Sequence, residues 1–165
     1  MSARLTIPLL AAAMAGPLAG NALAAPASSG DVRAAANVST ERREVINETG
    51  IPAPYFRYSN PQPKTLATLL RGSQIYARRC AGCHGSIPIP GGGPEARDLS
   101  PRPTDLMALR QLSPHTRDAY MYWTIAEGGV TFATAMPGYK SILPRKDIWS
   151  VIYFVRASVE PRPKK

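Results

Sequence analysis

The sequence predicts an all-α fold in which helices are joined by unusually long loops. Three observations predict it. Apolar residues recur at helical spacing in several segments of the second half of the chain. No alternating strand pattern of any length occurs, and no internal repeat. Seventeen prolines and 13 glycines in 165 residues gather between the helical segments, where they interrupt regular structure. The length suits one compact domain with extensions, and a hydrophobic fraction of 44% is enough to build its core.

The chain opens on a targeting segment. Arg4 supplies a short positive start, Leu5 to Ala19 is mostly apolar, and Ala22-Leu23-Ala24 fits a small-x-small cleavage site. Residues 1–24 read as a signal peptide removed near Ala24, so the mature protein is expected in the periplasm. A retained anchor is the competing reading. The apolar run falls short of the roughly 20 residues of a span, and Pro8, Gly16 and Pro17 interrupt it. No later stretch suits a bilayer, so no stable membrane span is expected after cleavage. Removing residues 1–24, whose one charged side chain is Arg4, takes the formal net charge from +9 to +8. A basic surface steers toward acidic partners or anionic lipid. Export and the scattering of the basic residues argue against nucleic acid.

Residues 25–64 read as an N-terminal arm. Its first part, to residue 40, is rich in Ala and Ser, and Glu41 to Glu48 suits a short helix with a thin apolar face. Pro52, Pro54, Pro61 and Pro63, interleaved with Tyr55, Phe56 and Tyr58, exclude a helix or inner strand. Either the arm lies on the domain or its aromatics dock a partner. The domain proper is expected over 65–160, with 161–165 as a tail ended by Pro161 and Pro163. Helical pattern starts near Thr65 with Leu66, Leu69 and Leu70 at i, i+3, i+4, continues through Gly72 and Tyr76, and runs into Cys80. A glycine inside a helix costs about 1 kcal/mol against Ala, and usually marks a close helix passage. Residues 85–103 read as loop. A short helix is expected from Thr104, with Leu106 and Leu109 inward. Ser113-Pro114 supplies an N-cap and a first-turn proline for a helix that stops at Gly128-Gly129. Residues 130–145 are again irregular. The last helix is expected from Lys146 or Asp147, with Ile148, Val151, Ile152 and Val155 at i, i+3, i+4, i+7. Helix packing alone would leave such loops unsupported; a large apolar body at the centre would support them.

Cys80-Ala81-Gly82-Cys83-His84 matches C-x-x-C-H, the attachment signature of c-type haem. Two thiols one helical turn apart can each form a thioether with a haem vinyl group. His84 then presents its imidazole to the iron on a short tether, with little further loss of entropy. Gly85 lets the chain leave close to the porphyrin. Three rivals fit less well. A thioredoxin-like pair needs a βαβ pattern, which is absent. A structural zinc needs four ligands, whereas the two histidines, His84 and His115, lie 31 residues apart. A disulfide across two intervening residues would be strained.

Iron then needs a sixth ligand or an open position. Met1 and Met14 leave with the signal peptide, and Met107 and Met121 suit the core. Met136 lies in a loop before Pro137-Gly138, where the backbone can swing its side chain inward. His115 competes for the position, but at the opening of a helix it suits a solvent-facing role. A soft thioether favours ferrous iron, so His/Met ligation raises the reduction potential.

Gly72 to Tyr76 leading into Cys80–Gly85, then Met136-Pro137-Gly138-Tyr139, then Asp147 to Phe154, resembles a bacterial class I cytochrome c. The stretch Gly93-Pro94 and Leu99-Ser-Pro-Arg-Pro-Thr-Asp-Leu106 is similar to a proline loop of many such proteins. The resemblance covers about residues 68–157. It implies an all-α class I cytochrome c fold wrapped around one covalent haem c. It implies that the M-P pattern falls on Met136 and that the Pro94 carbonyl takes the His84 Nδ1 proton. It also implies a first helix that crosses the last, with Gly72 and Tyr76 near Trp149 and Tyr153. Tyr139, Trp123 and Arg102 are candidates to meet the haem propionates, or are core and surface residues.

A six-coordinate haem has no vacant position for substrate, so the expected function is one-electron transfer between redox proteins. The expected donor is an exported dehydrogenase, in which this chain is a free carrier or the cytochrome subunit. The expected acceptor is an oxidase or another cytochrome. The alternative is a five-coordinate haem for small-ligand sensing or peroxide chemistry; a third is a haem that only builds a core for an interaction module.

Overall fold

The computed structural model describes residues 40–87 and 92–160. The signal peptide and its cleavage site, the Ala- and Ser-rich start of the arm, Pro88, Pro90 and Gly91 of the expected loop, and the tail at 161–165 lie outside the described residues. Among the described residues five α-helices follow one another: α1 (Thr40–Thr49), α2 (Leu66–Arg79), α3 (Ala81–His84), α4 (Pro114–Glu127) and α5 (Arg145–Val159). Short 3-10 turns at Tyr55–Arg57, Pro94–Ala96, Leu106–Gln111 and Val130–Phe132 punctuate the connections. There is no strand among the described residues.

The local signals act where the chain places them. Thr65 Oγ1 caps α2 by accepting from Thr68 N–H at 3.2 Å. Ser113 Oγ does the same for Thr116 N–H at 3.3 Å, with Pro114 in the first turn of α4. Gly128, at φ +72°, ends that helix. α5 starts at Arg145, one residue before the expected Lys146, because Pro144 already serves as its cap residue. In place of the short helix expected from Thr104, a 3-10 turn forms over Leu106–Gln111, with Leu109 buried and Leu106 half-buried.

α2 and α5 pack against each other along much of their length. Their closest point is Gly72, where a Cβ would overlap the Ser150 carbonyl and come within 2.9 Å of the Phe154 Cβ. Backbone meets backbone there, and this decides which face of α2 turns inward. The buried residues are Thr68, Gly72, Ile75 and Tyr76. Leu66 and Leu70, expected on the apolar face, are 69% and 51% exposed. The expected crossing partners shift as well. Gly72 and Tyr76 meet Ser150 and Phe154, with the Tyr76 and Phe154 rings 5.3 Å apart, rather than Trp149 and Tyr153. One residue along a helix is a rotation of roughly 100°. Trp149, only 1% exposed, therefore points to the other flank, where its ring lies 4.4 Å from that of Tyr122. A polar tie completes the crossing. Buried Asp147 in the first turn of α5 accepts from Arg71 Nε at 3.0 Å and from its Nη2. The Arg71 hydrogen bond holds the Asp147 carboxyl below the usual range, against the opposing effect of burial.

The arm is part of the core. Ile46 and Ile51 are buried, and Tyr55, Phe56 and Tyr58 pack half-buried against the helices. The Tyr58 ring stands 5.0 Å from Tyr122 and 6.2 Å from Trp149, in the edge-on or tilted geometries aromatic pairs prefer. Asn60 N–H donates to Asp118 Oδ2 at 3.0 Å, while Asp118 Oδ1 takes Arg156 Nη1 at 2.9 Å. Arm, α4 and α5 thus meet at one carboxylate. The aromatics that a free arm would leave wet are covered by α4 and α5.

Replacing Gly72 by Ala tests the crossing. Helix propensity favours Ala by about 1 kcal/mol. Overpacking against backbone costs about 1–3 kcal/mol, and a backbone carbonyl has little room to move. Gly72→Ala should lower the thermal midpoint, read by circular dichroism. Asp147→Asn should also lower it at neutral pH. A carboxyl with a depressed folded-state pKa stabilises fully above its unfolded pKa and loses that effect as pH falls through the folded value. The gap between wild type and Asp147→Asn should therefore narrow as the pH drops through the ordinary carboxylate range and below.

Candidate functional site

α2 breaks at Cys80, whose backbone leaves the helical region at φ −124°, and α3 supplies one more turn. His84 N–H returns to the Cys80 carbonyl at 2.8 Å and Gly85 N–H to that of Ala81 at 2.8 Å, so Cys80, Cys83 and His84 form one rigid turn. Gly85, at φ +73°, turns the chain away, and its carbonyl accepts from the Tyr76 hydroxyl at 2.9 Å. Gly93 N–H donates to the Cys83 carbonyl at 2.9 Å, which docks the following loop directly on this turn.

The two thiols are half-buried and not bonded to each other. Burial, with Cys83 adding to it, pushes the Cys80 thiol up to about 11. Burial also raises Cys83, as does the Glu95 carboxylate, whose Oε2 lies 3.8 Å from Cys83 Sγ. Both are protonated thiols at neutral pH. A thioredoxin-type pair or another nucleophilic cysteine needs the opposite shift. No group of three or more His, Cys, Asp or Glu side chains converges on a common point among the described residues, which leaves a zinc site without its donors.

Beside this turn lies a divided crevice. One cavity of about 70 Å3 is walled almost entirely by apolar atoms, including Leu106, Leu109, Met121, Ile125, Val151 and Val155. The other, about 270 Å3, is bounded by Cys83, Glu95, Leu99, Pro101, Pro103 and Tyr139, with Arg79 and Arg102 also in its wall. Cys80, His84, Thr104 and Met136 line both, so the two are compartments of one space.

His84 is held by burial below its usual pKa, and a hydrogen bond to the Thr104 backbone opposes that shift. The ring is thus neutral at pH 7, the form that ligates metals. Its Nδ1 is buried with no hydrogen-bond partner. The bond expected from Nδ1 to the Pro94 carbonyl is not formed. The Gly93–Cys83 bond leaves Pro94 exposed at the start of a 3-10 turn that carries Glu95 over Cys83, and Thr104 reaches the imidazole instead.

Met136 is placed by the end of α4. Its carbonyl accepts from Gly129 N–H at 2.8 Å, and Tyr139 and Lys140 N–H groups bond the Ile125 and Ala126 carbonyls at 2.9 and 3.1 Å. These fill acceptors that a helix C-terminus leaves open. The other candidates stand elsewhere. His115 is exposed, with Nε2 3.0 Å from the Phe56 carbonyl. Met107 packs on the core outside both cavities, and Met121 is buried in the wall of the apolar one. Tyr139 donates its hydroxyl to the Arg79 carbonyl at 2.9 Å, Trp123 is buried in the core, and Arg102 is exposed at the crevice wall. Sequence reasoning missed Thr104 and Glu95, because neither carries a motif: Thr104 acts through its backbone, and Glu95 through a carboxylate that the loop carries over Cys83. Glu95 had one usable signal: it follows the glycine pair that docks on the haem-motif turn.

The residues present fit a covalent haem. A buried neutral imidazole, two free thiols one turn apart, a thioether and an apolar crevice converge on one space. No curated protein matches the chain. A family model described as cytochrome c oxidase, cbb3-type, subunit III matches residues 67–155, just over half of the 165 residues and the same stretch that builds this crevice. With these helices and this haem motif, the chain belongs to that family, a class I c-type cytochrome domain that carries covalently bound haem c and serves haem-based electron transfer.

Proposed function

We propose that this protein is an exported mono-haem cytochrome that carries single electrons between redox proteins, with Cys80 and Cys83 as thioether tethers and His84 and Met136 as axial ligands. The observation that carries the reading is the crevice whose two compartments share Cys80, His84 and Met136. When bound, the haem supplies reversible one-electron exchange between ferric and ferrous iron.

The chain's own residues set the conditions for that exchange. The α3 turn fixes both thiols and the imidazole before assembly, so little conformational entropy is lost in ligation. Leu106, Leu109, Val151 and Val155 exclude water from the inner compartment and lower its dielectric. Met136 closes the coordination, which removes a position for substrate and favours transfer over ligand chemistry. A soft thioether raises the potential of the couple. Arg79 and Arg102 stand in the wall of the outer compartment, and the formal net charge of +9 supports a partner with an acidic face. We assign an exported dehydrogenase as donor, with this chain as free carrier or bound subunit, and an oxidase or second cytochrome as acceptor. The matching family's description, a cytochrome c oxidase subunit, supports the acceptor side. The leader at residues 1–24 supports the periplasm. Among the described residues no helix is long and apolar enough to cross a membrane.

Two experiments test this reading. Purified protein should show one haem by mass, retained in denaturing chromatography. Cys80→Ala and Cys83→Ala should each leave a single tether, and the double variant should release the macrocycle; retention in the double variant would remove the thioether assignment. The ferric protein should show a sulfur-to-iron charge-transfer band, and the ferrous protein should bind carbon monoxide slowly. Met136→Ala should abolish the band and accelerate binding. Rapid carbon monoxide binding by wild type, with no band, would replace the carrier with a five-coordinate ligand-binding haem.

A further inference from the structure

The loop that carries Met136 is irregular, and the N-terminal arm reaches its root from outside. α4 ends at Gly128, and the chain returns to Met136 through residues 129–135 before Tyr139 and Lys140 bond back to α4. Arg42, on α1, is 4% exposed. Its Nη2 donates to the Gly128 carbonyl, at the outgoing root of the loop, and its Nη1 donates to Thr124 Oγ1 at 3.3 Å. Thr124 lines the same apolar cavity as Met136. The guanidinium carbon lies 4.4 Å from the Trp123 ring centroid and 4.2 Å from that of Phe132. Trp123 belongs to α4 and Phe132 to the loop, so one planar cation holds the loop against the helix. A second arm residue reaches the returning limb. The Tyr55 hydroxyl donates to Glu127 Oε1, and Glu127 Oε2 takes Lys140 Nζ at 2.6 Å.

We propose that Arg42, assisted by Tyr55, is a positioning residue for Met136: the arm clamps both limbs of the loop and thereby keeps the thioether available to the iron. The inference rests on the axial role given to Met136 above. The chemistry selects arginine. A planar fork can donate to two acceptors at once while its delocalised carbon rests against neighbouring rings; a compact ammonium cannot do both. A thioether is a soft donor and a weak ligand for harder ferric iron, so its attachment depends on how firmly the loop presents it. The arm thereby acquires a role in the haem chemistry without touching the haem.

The test uses the full-length holoprotein and four variants. Arg42→Lys should weaken the ferric sulfur-to-iron band, lower the reduction potential and raise the ferrous carbon monoxide association rate by roughly tenfold, within the usual span of coupling between separated sites. Tyr55→Phe, which removes one oxygen atom, should move all three readouts in the same direction by less. Val159→Ala, a core truncation outside the crevice, should lower the thermal midpoint and leave the three unchanged. Met136→Ala separates the two readings. If it leaves the wild-type spectrum intact, the ligand assignment fails and this inference falls with it. If Met136→Ala abolishes the band while Arg42→Lys and Tyr55→Phe only lower the thermal midpoint, the clamp is merely structural and the inference alone is overturned. If Arg42→Lys does not assemble, Tyr55→Phe decides, and wild-type readouts in that variant overturn the proposal.

Discussion

The crossing of α2 over α5 at Gly72 is the constraint from which the rest of the molecule is built. Two helices can approach to backbone contact only where a side chain is missing, and Gly72 over Ser150 provides that point. Once the crossing is set, Tyr76 is directed to the crevice on one side, and Val151 and Val155 face it from the other. Cys80 follows Tyr76 by a single turn. The position of the haem-motif turn is thus fixed by a helix contact that contains none of its residues.

The loops around the crevice have only short 3-10 turns as regular structure, yet they are not loosely held. They borrow hydrogen-bond acceptors from helix ends. The Ile125 and Ala126 carbonyls, left open by the end of α4, take the N–H groups of Tyr139 and Lys140. Gly128 makes this possible. Its φ of +72° turns the chain, and a Cβ there would meet the backbone of Pro137 and Gly138 at 2.5 Å or less. The helix end and the Met136 segment therefore interlock at bare backbone. The arm joins the same scheme through Arg42, so a segment outside the 67–155 family match contributes to the shape of the site.

Burial sets the chemistry of the site in a single direction. It keeps both thiols protonated and the imidazole neutral. Charged forms would suit nucleophilic or disulfide chemistry. Neutral forms suit covalent attachment and metal ligation in an apolar space. The same dry environment makes the unpartnered Nδ1 of His84 costly.

The sequence by itself determined the local features. Cap residues set where α2 and α4 begin, Gly128 set where α4 ends, and the C-x-x-C-H spacing named the prosthetic group, because each of these acts within one turn of chain. Periodicity also gave the inner face of α5 correctly, since Ile148, Val151, Ile152 and Val155 are all buried. On α2 it placed Gly72 and Tyr76 inward correctly but Leu66 and Leu70 wrongly, because the rotation of that helix depends on a partner of Gly72 almost 80 residues away. The tertiary structure alone decided that rotation, the turning of Trp149 toward Tyr122, the contact of Thr104 rather than Pro94 with the His84 ring, and the burial of Arg42 against Trp123 and Phe132. Each of these joins distant segments through packing or backbone acceptors, and such contacts leave no period, spacing or motif in the chain that makes them.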